Sequence, residues 1–168
     1  MLTWLARFDR AVGAVLRPAV FVGMVALTAV ITLQIVSRVF FTSVSWTEEV
    51  ARFLLIWITF LGAALAFQQG RHIAVTVLTD ALPPRVFRGT VAVARLVALA
   101  FLVALAVIGY RYMIMQGFQK SPALRLSMSY VYAVMPLASA LMALLCLSDL
   151  VRGLFGPDPR PPRGPATS

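Results

Sequence analysis

Two adjacent carboxylates, Glu48 and Glu49, are the residues of this sequence whose types and spacing come closest to a chemical site. They follow Trp46 and precede Arg52 by four and three positions, so a helix could pair either acid with the guanidinium. In the first turn of a helix, both acids also suit its dipole. The pattern predicts a charge-paired helix start, or an acid that reaches Arg38 at the end of the preceding apolar run or a partner protein.

The other reactive side chains predict no catalytic or cofactor site. His72 is the single histidine, whereas bis-histidine haem needs two that face each other. Cys146 is the single cysteine, so one chain can form neither a disulfide framework nor a cysteine-based metal site. No serine, histidine and acid set is placed for nucleophilic catalysis. We therefore expect no enzyme, no cofactor and no metal, and a solvated or helix-capping His72.

The composition is that of an integral membrane protein. Of the 168 residues, 61% are hydrophobic and 12% are charged, against about 45–50% and about 25% in soluble domains. The net charge of +9 comes from fifteen Lys and Arg, which separate apolar runs instead of clustering in one basic arm. These charges predict membrane topology and no nucleic-acid partner.

Four apolar runs predict an all-α membrane protein with four transmembrane helices. The expected spans are about 19–37, 50–69, 90–112 and 127–149, each close to the roughly 20 residues that cross a bilayer. The fourth contains Pro136, which predicts a kink. The first run is expected to remain as an anchor, because it is long for a signal peptide. These spans form one membrane domain, residues 18–155.

The two ends of the chain are expected to lie outside the bundle. Residues 1–17 place basic and apolar side chains on opposite helical faces, which predicts either a helix on the membrane lipid or a solvated helix leading into the first span. Residues 156–168 are rich in proline and almost free of apolar side chains. We expect this tail to be disordered.

The distribution of basic residues predicts that both termini are cytoplasmic. Four spans put the termini on one side, and cytoplasmic segments carry the excess of Lys and Arg. With cytoplasmic termini, ten basic residues lie inside: Arg7, Arg10, Arg17, Arg71, Arg85, Arg88, Arg95, Arg152, Arg160 and Arg163. Five lie outside: Arg38, Arg52, Arg111, Lys120 and Arg125.

Small residues recur every four positions along the second span, at Gly62, Ala66 and Gly70. We call them the small-residue ridge. Such a ridge lets another helix approach closely, which matters in lipid, where packing replaces the hydrophobic drive. It predicts helix packing either within the chain or between subunits.

The same stretch carries a resemblance to a known family. The residues that carry it are Arg38, Phe41, Trp46, Glu48, Glu49, Arg52, Trp57, Phe60, Leu61, Gly62, Ala63, Gly70, His72, Ile73, Leu82 and Pro83. Together with Tyr132 and Pro136 in the last span, they resemble the small Q-type membrane subunit of the tripartite ATP-independent periplasmic (TRAP) transporters. The family commonly has an acid where this chain has Thr76, so a charge at that position is lost or replaced elsewhere.

The resemblance implies an accessory subunit in the bacterial inner membrane, with four helices and both termini inside. It would dock on a large multi-span membrane subunit that carries the sodium and substrate sites, and would help receive a periplasmic substrate-binding protein. Organic acids or similar solutes would be the cargo. We place the subunit interface at Arg38, Trp46, Glu48, Glu49, Arg52, Trp57, Gly62, Ala66, Gly70, His72, Tyr132 and Pro136.

Two other functions remain open at this point. The chain could be the membrane anchor subunit of a redox enzyme, which would bind quinone or haem. It could also be a small homo-oligomeric exporter, although a proton-coupled exporter would need an acid deep in a span. All six acids of this sequence lie near span ends, in loops or in the tail.

Overall fold

Helices make up the structure of residues 2–40, 45–79 and 84–155, the parts of the chain that the computed structural model describes, apart from one loop. Side chains are described for residues 7–40, 45–70 and 89–151. The predicted disordered tail, residues 156–168, lies outside the described residues. The helices are α1 Leu2–Phe40, α2 Ser45–Thr79, α3 Pro84–Met115, α4 Met128–Tyr132 and α5 Val134–Phe155, with a 3-10 turn Gln116–Phe118 after α3.

Four helical segments are long and apolar enough to cross a membrane. They are Arg7–Phe40, Ser45–Gly70, Gly89–Phe118 and Met128–Val151. The predicted all-helical fold with four spans is thereby confirmed. The helices are longer than predicted, since the 39 residues of α1 extend about 58 Å against a hydrocarbon layer of about 30 Å. Residues 2–17 and the first span form this one helix, and Leu16 is buried in the core beside Ala64 and Met142, so the expectation that this segment lies outside the bundle is wrong there. A position of residues 1–17 on the membrane lipid stays a prediction.

The second long helix also continues past its expected end. The span predicted over residues 50–69, with Arg71 as its boundary, implies a loop after it, and that expectation is wrong, because α2 extends to Thr79. The segment RHIAVTVLT contains neither glycine nor proline, so nothing in it interrupts helical hydrogen bonding. The side chains of His72 and Thr76 lie outside those described. Pro84 then opens α3, a position in which its missing N–H costs no hydrogen bond.

The four spanning segments lie side by side in the order α1, α2, α5, α3. Helix α1 packs chiefly on α2, α2 on α5, and α5 on α3. Helix α5 lies inside this row and its span is the most buried of the four. The two outer helices leave large apolar side chains exposed, among them Phe21 and Val22 on α1 and Val97 and Phe101 on α3. A row of this kind offers wide apolar faces to lipid or to another membrane protein.

Two glycines bring neighbouring helices close together. A Cβ atom built on Gly23 of α1 would lie 2.8 Å from Ile58 Cγ1 of α2. One built on Gly109 of α3 would lie 3.3 Å from the backbone nitrogen of Pro136. In lipid, small residues at such contacts favour close packing of helices. The α1–α2 and α3–α5 pairs thus each have a glycine at a close approach.

The fourth span is broken near its start, in line with the kink expected from Pro136. Helix α4 ends at Tyr132 and α5 begins at Val134, with Ala133 between them. Proline has no N–H to donate to the carbonyl four residues earlier, which here belongs to Tyr132. The break therefore has a direct covalent cause.

Candidate functional site

The Glu49 carboxylate, near the start of α2, accepts hydrogen bonds from the loop between α3 and α4. The N–H groups of Ala123 and Leu124 donate to its two oxygens at 2.9 Å and 3.1 Å. The Ser121 hydroxyl donates to the same carboxylate. Hydrogen bonds to a charged acceptor are about twice as strong as neutral ones. Glu49 thus joins α2 to a segment more than 70 residues away in the sequence.

The loop that Glu49 holds, residues 119–127, will be called the α3–α4 loop. Its own backbone closes it: the Ser121 N–H donates to the Leu126 carbonyl at 2.8 Å, and the Arg125 N–H donates to the Ser121 carbonyl at 3.0 Å. Arg125 has a φ of 54°, a left-handed conformation that is uncommon for a residue with a side chain. The Ser121 side chain is buried beneath the loop. The loop is therefore folded back on itself, with N–H groups turned toward Glu49.

Glu48 behaves differently from its neighbour. Its carboxylate pairs with Arg52 at 3.1 Å, four residues along α2, as the spacing predicts. About two-thirds of each side chain is exposed, 66% for Glu48 and 65% for Arg52, so water screens the pair and little stability comes from it. The predicted contact of Glu48 or Glu49 with Arg38 is not formed among the described residues. The α3–α4 loop supplies donors to Glu49 instead.

Aromatic side chains from α3 and α4 pack beside this junction. The rings of Tyr112 and Tyr132 meet edge to face, with centroids 5.0 Å apart and an interplanar angle of 77°. Gln116 donates a hydrogen bond from its Nε2 to the Tyr112 hydroxyl at 2.8 Å. Tyr132, which was predicted as an interface residue, therefore has a packing role within the chain. Pro136, which was also predicted as an interface residue, packs against Gly109 of α3.

Two positions of the small-residue ridge have open space beside them in the described part of the chain. Among the described residues, no atom lies within 4 Å of a Cβ built on Gly62 or on Gly70. Ala66 between them is exposed. The expectation that the ridge packs within the chain is therefore wrong at these glycines. A role between subunits stays a prediction, as it does for the exposed indoles of Trp46 and Trp57.

Sequence reasoning missed the partners of Glu49. Two of the three donors are backbone N–H groups, which every residue except proline carries, so residue type gives no signal for them. A weak signal was available in Ser121-Pro122, because serine and proline are common where a chain turns. The described residues contain no group of three or more His, Cys, Asp or Glu that could hold a metal ion. Hydrogen bonds and charge are the interactions that Glu49 makes with the α3–α4 loop.

Comparison with known proteins decides the family. The model of the DctQ component of the tripartite ATP-independent periplasmic transporters matches residues 27–156, which is most of the chain. The chain belongs to the DctQ family of TRAP transporters. Members of this family are transporter components and not enzymes. With its four spanning helices, this DctQ protein is a multi-pass protein of the bacterial inner membrane.

Three relatives agree with the DctQ assignment. The chain is 46% identical over 65 residues to a TRAP transporter small permease protein of Haemophilus influenzae, covering 38% of this chain and 40% of the relative. It is 31% identical over 163 residues to the isethionate TRAP transporter permease protein DctMQ of Oleidesulfovibrio alaskensis. This match covers 89% of this chain and 24% of the relative. It is 30% identical over 120 residues to the sialic acid TRAP transporter small permease protein SiaQ of Vibrio cholerae. This match covers 71% of this chain and 69% of the relative. The match thus spans less than half the length of the first two relatives.

Proposed function

We propose that this DctQ protein is a non-catalytic scaffold subunit that anchors a large multi-span TRAP membrane subunit. The observation that carries the proposal is the row of helices α1, α2, α5 and α3, which leaves wide apolar faces and the small-residue ridge open. A stationary scaffold needs such faces, because helix association in lipid depends on packing over an extended surface. Its acids lie near span ends, in loops or in the tail, so the ion and substrate sites belong to the partner.

The names of two relatives support a large membrane partner. DctMQ is a single permease chain of which the matched region is 24%, so the matched part is joined there to a longer one. SiaQ is named as the small permease of its transporter, which indicates a separate larger one. A periplasmic substrate-binding protein completes the proposed assembly.

The proposed cargo is an organic acid, taken up with sodium. Isethionate and sialic acid, which the names of two relatives give, are both organic acids. The coupling ion would bind in the large subunit. Uptake of a radiolabelled organic acid into proteoliposomes that contain both subunits should depend on an inward sodium gradient, and equal uptake without the gradient would remove this part of the proposal.

We further propose that both termini are cytoplasmic and that the α3–α4 loop lies on the periplasmic side. The twofold excess of basic residues on the opposite side supports this orientation. A Lys120→Cys variant tests it, because Lys120 is exposed in the loop. A membrane-impermeant maleimide should label this cysteine in cells with a permeabilised outer membrane. If labelling requires disruption of the inner membrane, the loop is cytoplasmic and the orientation is the opposite of the one proposed. The native Cys146, which is buried, serves as the background control.

Copurification tests the scaffold function. An affinity-tagged copy of this chain, expressed with the large subunit from the same source, should retain that subunit in mild detergent at a fixed ratio. An unrelated four-span membrane protein with the same tag is the control. Recovery of the tagged chain without the large subunit, in several detergents, would count against the proposal.

A further inference from the structure

The α3–α4 loop carries two cations that form no ion pair with a described acid. Lys120 and Arg125 are both exposed, and neither forms an ion pair with a described residue. The Glu49 carboxylate adjoins the loop and keeps its negative charge, but its oxygens are bonded to Ser121, Ala123 and Leu124 and not to either cation. The loop cations are therefore available to an acidic group on another molecule.

Glu49 adds contacts to a loop that backbone hydrogen bonds also close. Arg125 holds a positive φ of 54°, a conformation that persists only where surrounding contacts determine it. Glu49 supplies such contacts, because its carboxylate accepts hydrogen bonds from the N–H groups of Ala123 and Leu124, two residues and one residue before Arg125. Without the carboxylate, the Ala123 N–H would lose this acceptor and the Leu124 N–H would keep only the Ser121 hydroxyl, at 3.3 Å. Glu49 and the Arg125 conformation are thus linked through the loop backbone.

We propose that Glu49 is a positioning residue that holds the α3–α4 loop as a preformed basic surface for acidic side chains of the soluble substrate-binding protein. This inference rests on the proposed function, since it requires the loop to face that protein. A preformed surface avoids the cost of ordering a loop on binding. Its two cations steer an acidic partner and accelerate association, and salt weakens this effect.

Limited trypsin digestion of the purified complex tests the positioning role. Trypsin cleaves after Arg125 when the loop opens, and the fragments can be identified by mass. A Glu49→Gln variant should be cleaved at this bond about tenfold faster, because local opening governs proteolysis. Glu48→Gln is the matched control: it removes the same charge one residue away, where the carboxylate pairs with Arg52, and cleavage after Arg125 should not change. Equal cleavage rates in the two variants would overturn the proposal.

A titration of uptake with the soluble binding protein tests what the loop is for. In proteoliposomes that contain both membrane subunits, Glu49→Gln should raise the half-saturating concentration of binding protein several-fold and leave the maximal rate unchanged. A merely structural role would lower the maximal rate instead. The double variant Lys120→Gln with Arg125→Asn should raise the half-saturating concentration and flatten its salt dependence. Asparagine is chosen because it tolerates positive φ.

The outcomes separate this proposal from the scaffold function. If cleavage accelerates in Glu49→Gln but the half-saturating concentration stays constant, the loop is not the docking surface and the proposal is overturned, while copurification of the two subunits still supports the scaffold. If the double variant instead loses bound anionic phospholipid, without any change in the titration, the loop cations bind lipid and the proposal is equally overturned. Failure of the subunits to copurify would instead contradict the scaffold function itself.

Discussion

Replacement of Gly109 by leucine is expected to destabilise the folded chain more than substitution at any exposed position. Gly109 is buried between α3 and α5, where a Cβ would lie 3.3 Å from the Pro136 nitrogen and 3.4 Å from Met135 Cβ. The nearer obstacle is backbone, which cannot rotate away as a side chain does. Overpacking of this kind costs about 1–3 kcal/mol of unfolding free energy and occasionally more. The melting temperature in detergent should fall by on the order of 5–10 °C.

The control for this variant is Ala100→Leu, which adds a large side chain on the exposed face of α3. Its melting temperature should stay close to that of the parent protein. A smaller change, Gly109→Ala, should have an intermediate effect, because a single methyl group requires a shift of only a few tenths of an ångström. A Gly109→Leu variant as stable as the parent would contradict the close approach of α3 and α5.

Replacement of Gly62 by leucine is expected to weaken association with the large subunit and to leave the stability of the chain unchanged. No described atom lies within 4 Å of a Cβ at this position, so leucine should leave the stability of the isolated chain unchanged. If the small-residue ridge meets a helix of the large subunit, leucine forces that helix away. The expected loss is about 1–3 kcal/mol of association free energy, or roughly a fivefold to 150-fold decrease in affinity. The readout is the amount of large subunit retained by a tagged chain in detergent.

Ala100→Leu again serves as the control, since it adds the same side chain on a different helix. Ala66→Leu, on the ridge one turn from Gly62, should reproduce the Gly62 effect. Unchanged retention of the large subunit in both ridge variants would show that the ridge faces lipid. Because Gly109→Leu should lower stability and Gly62→Leu should lower association, the pair separates packing within the chain from packing between chains.

The sequence predicted the helices of this protein better than the ends of those helices. Apolar runs of about twenty residues can hardly form anything except spanning helices in lipid, and four were found. The predicted end of the second helix at Gln69 was based on Arg71 as a boundary. A charged residue marks where a helix leaves the hydrocarbon, yet it does not stop helical hydrogen bonding, so α2 continues to Thr79.

The site shows the same division between local and distant interactions. Glu48 and Arg52 are four residues apart on one helix, and their pairing follows from helical geometry. The partners of Glu49 lie in a loop more than 70 residues later. Predicting that contact requires the packing of α2 against α4 and α5, and no residue pattern in either segment specifies it. The adjacent Glu48 and Glu49 look equivalent in the sequence because their difference is entirely tertiary.

The side-by-side order of the helices could not be predicted either. Hydropathy distinguishes lipid from water but not lipid from the apolar face of another helix, since both are equally apolar. Glycines at a close approach, such as Gly23 and Gly109, look the same in the sequence as the glycines of the ridge, which have open space beside them. The fold distinguishes them by what each one faces, and that difference is the basis of the proposed partner surface.

Uptake in cells that lack their own TRAP transporters tests most directly whether this chain is a required scaffold. The large subunit, the soluble binding protein and this chain are expressed together, and uptake of a radiolabelled organic acid is measured with each component omitted in turn. We expect uptake with all three and none above background without this chain, with equal amounts of large subunit in the membrane by immunoblot. Uptake at the full rate without this chain would contradict the proposal that it is a required scaffold.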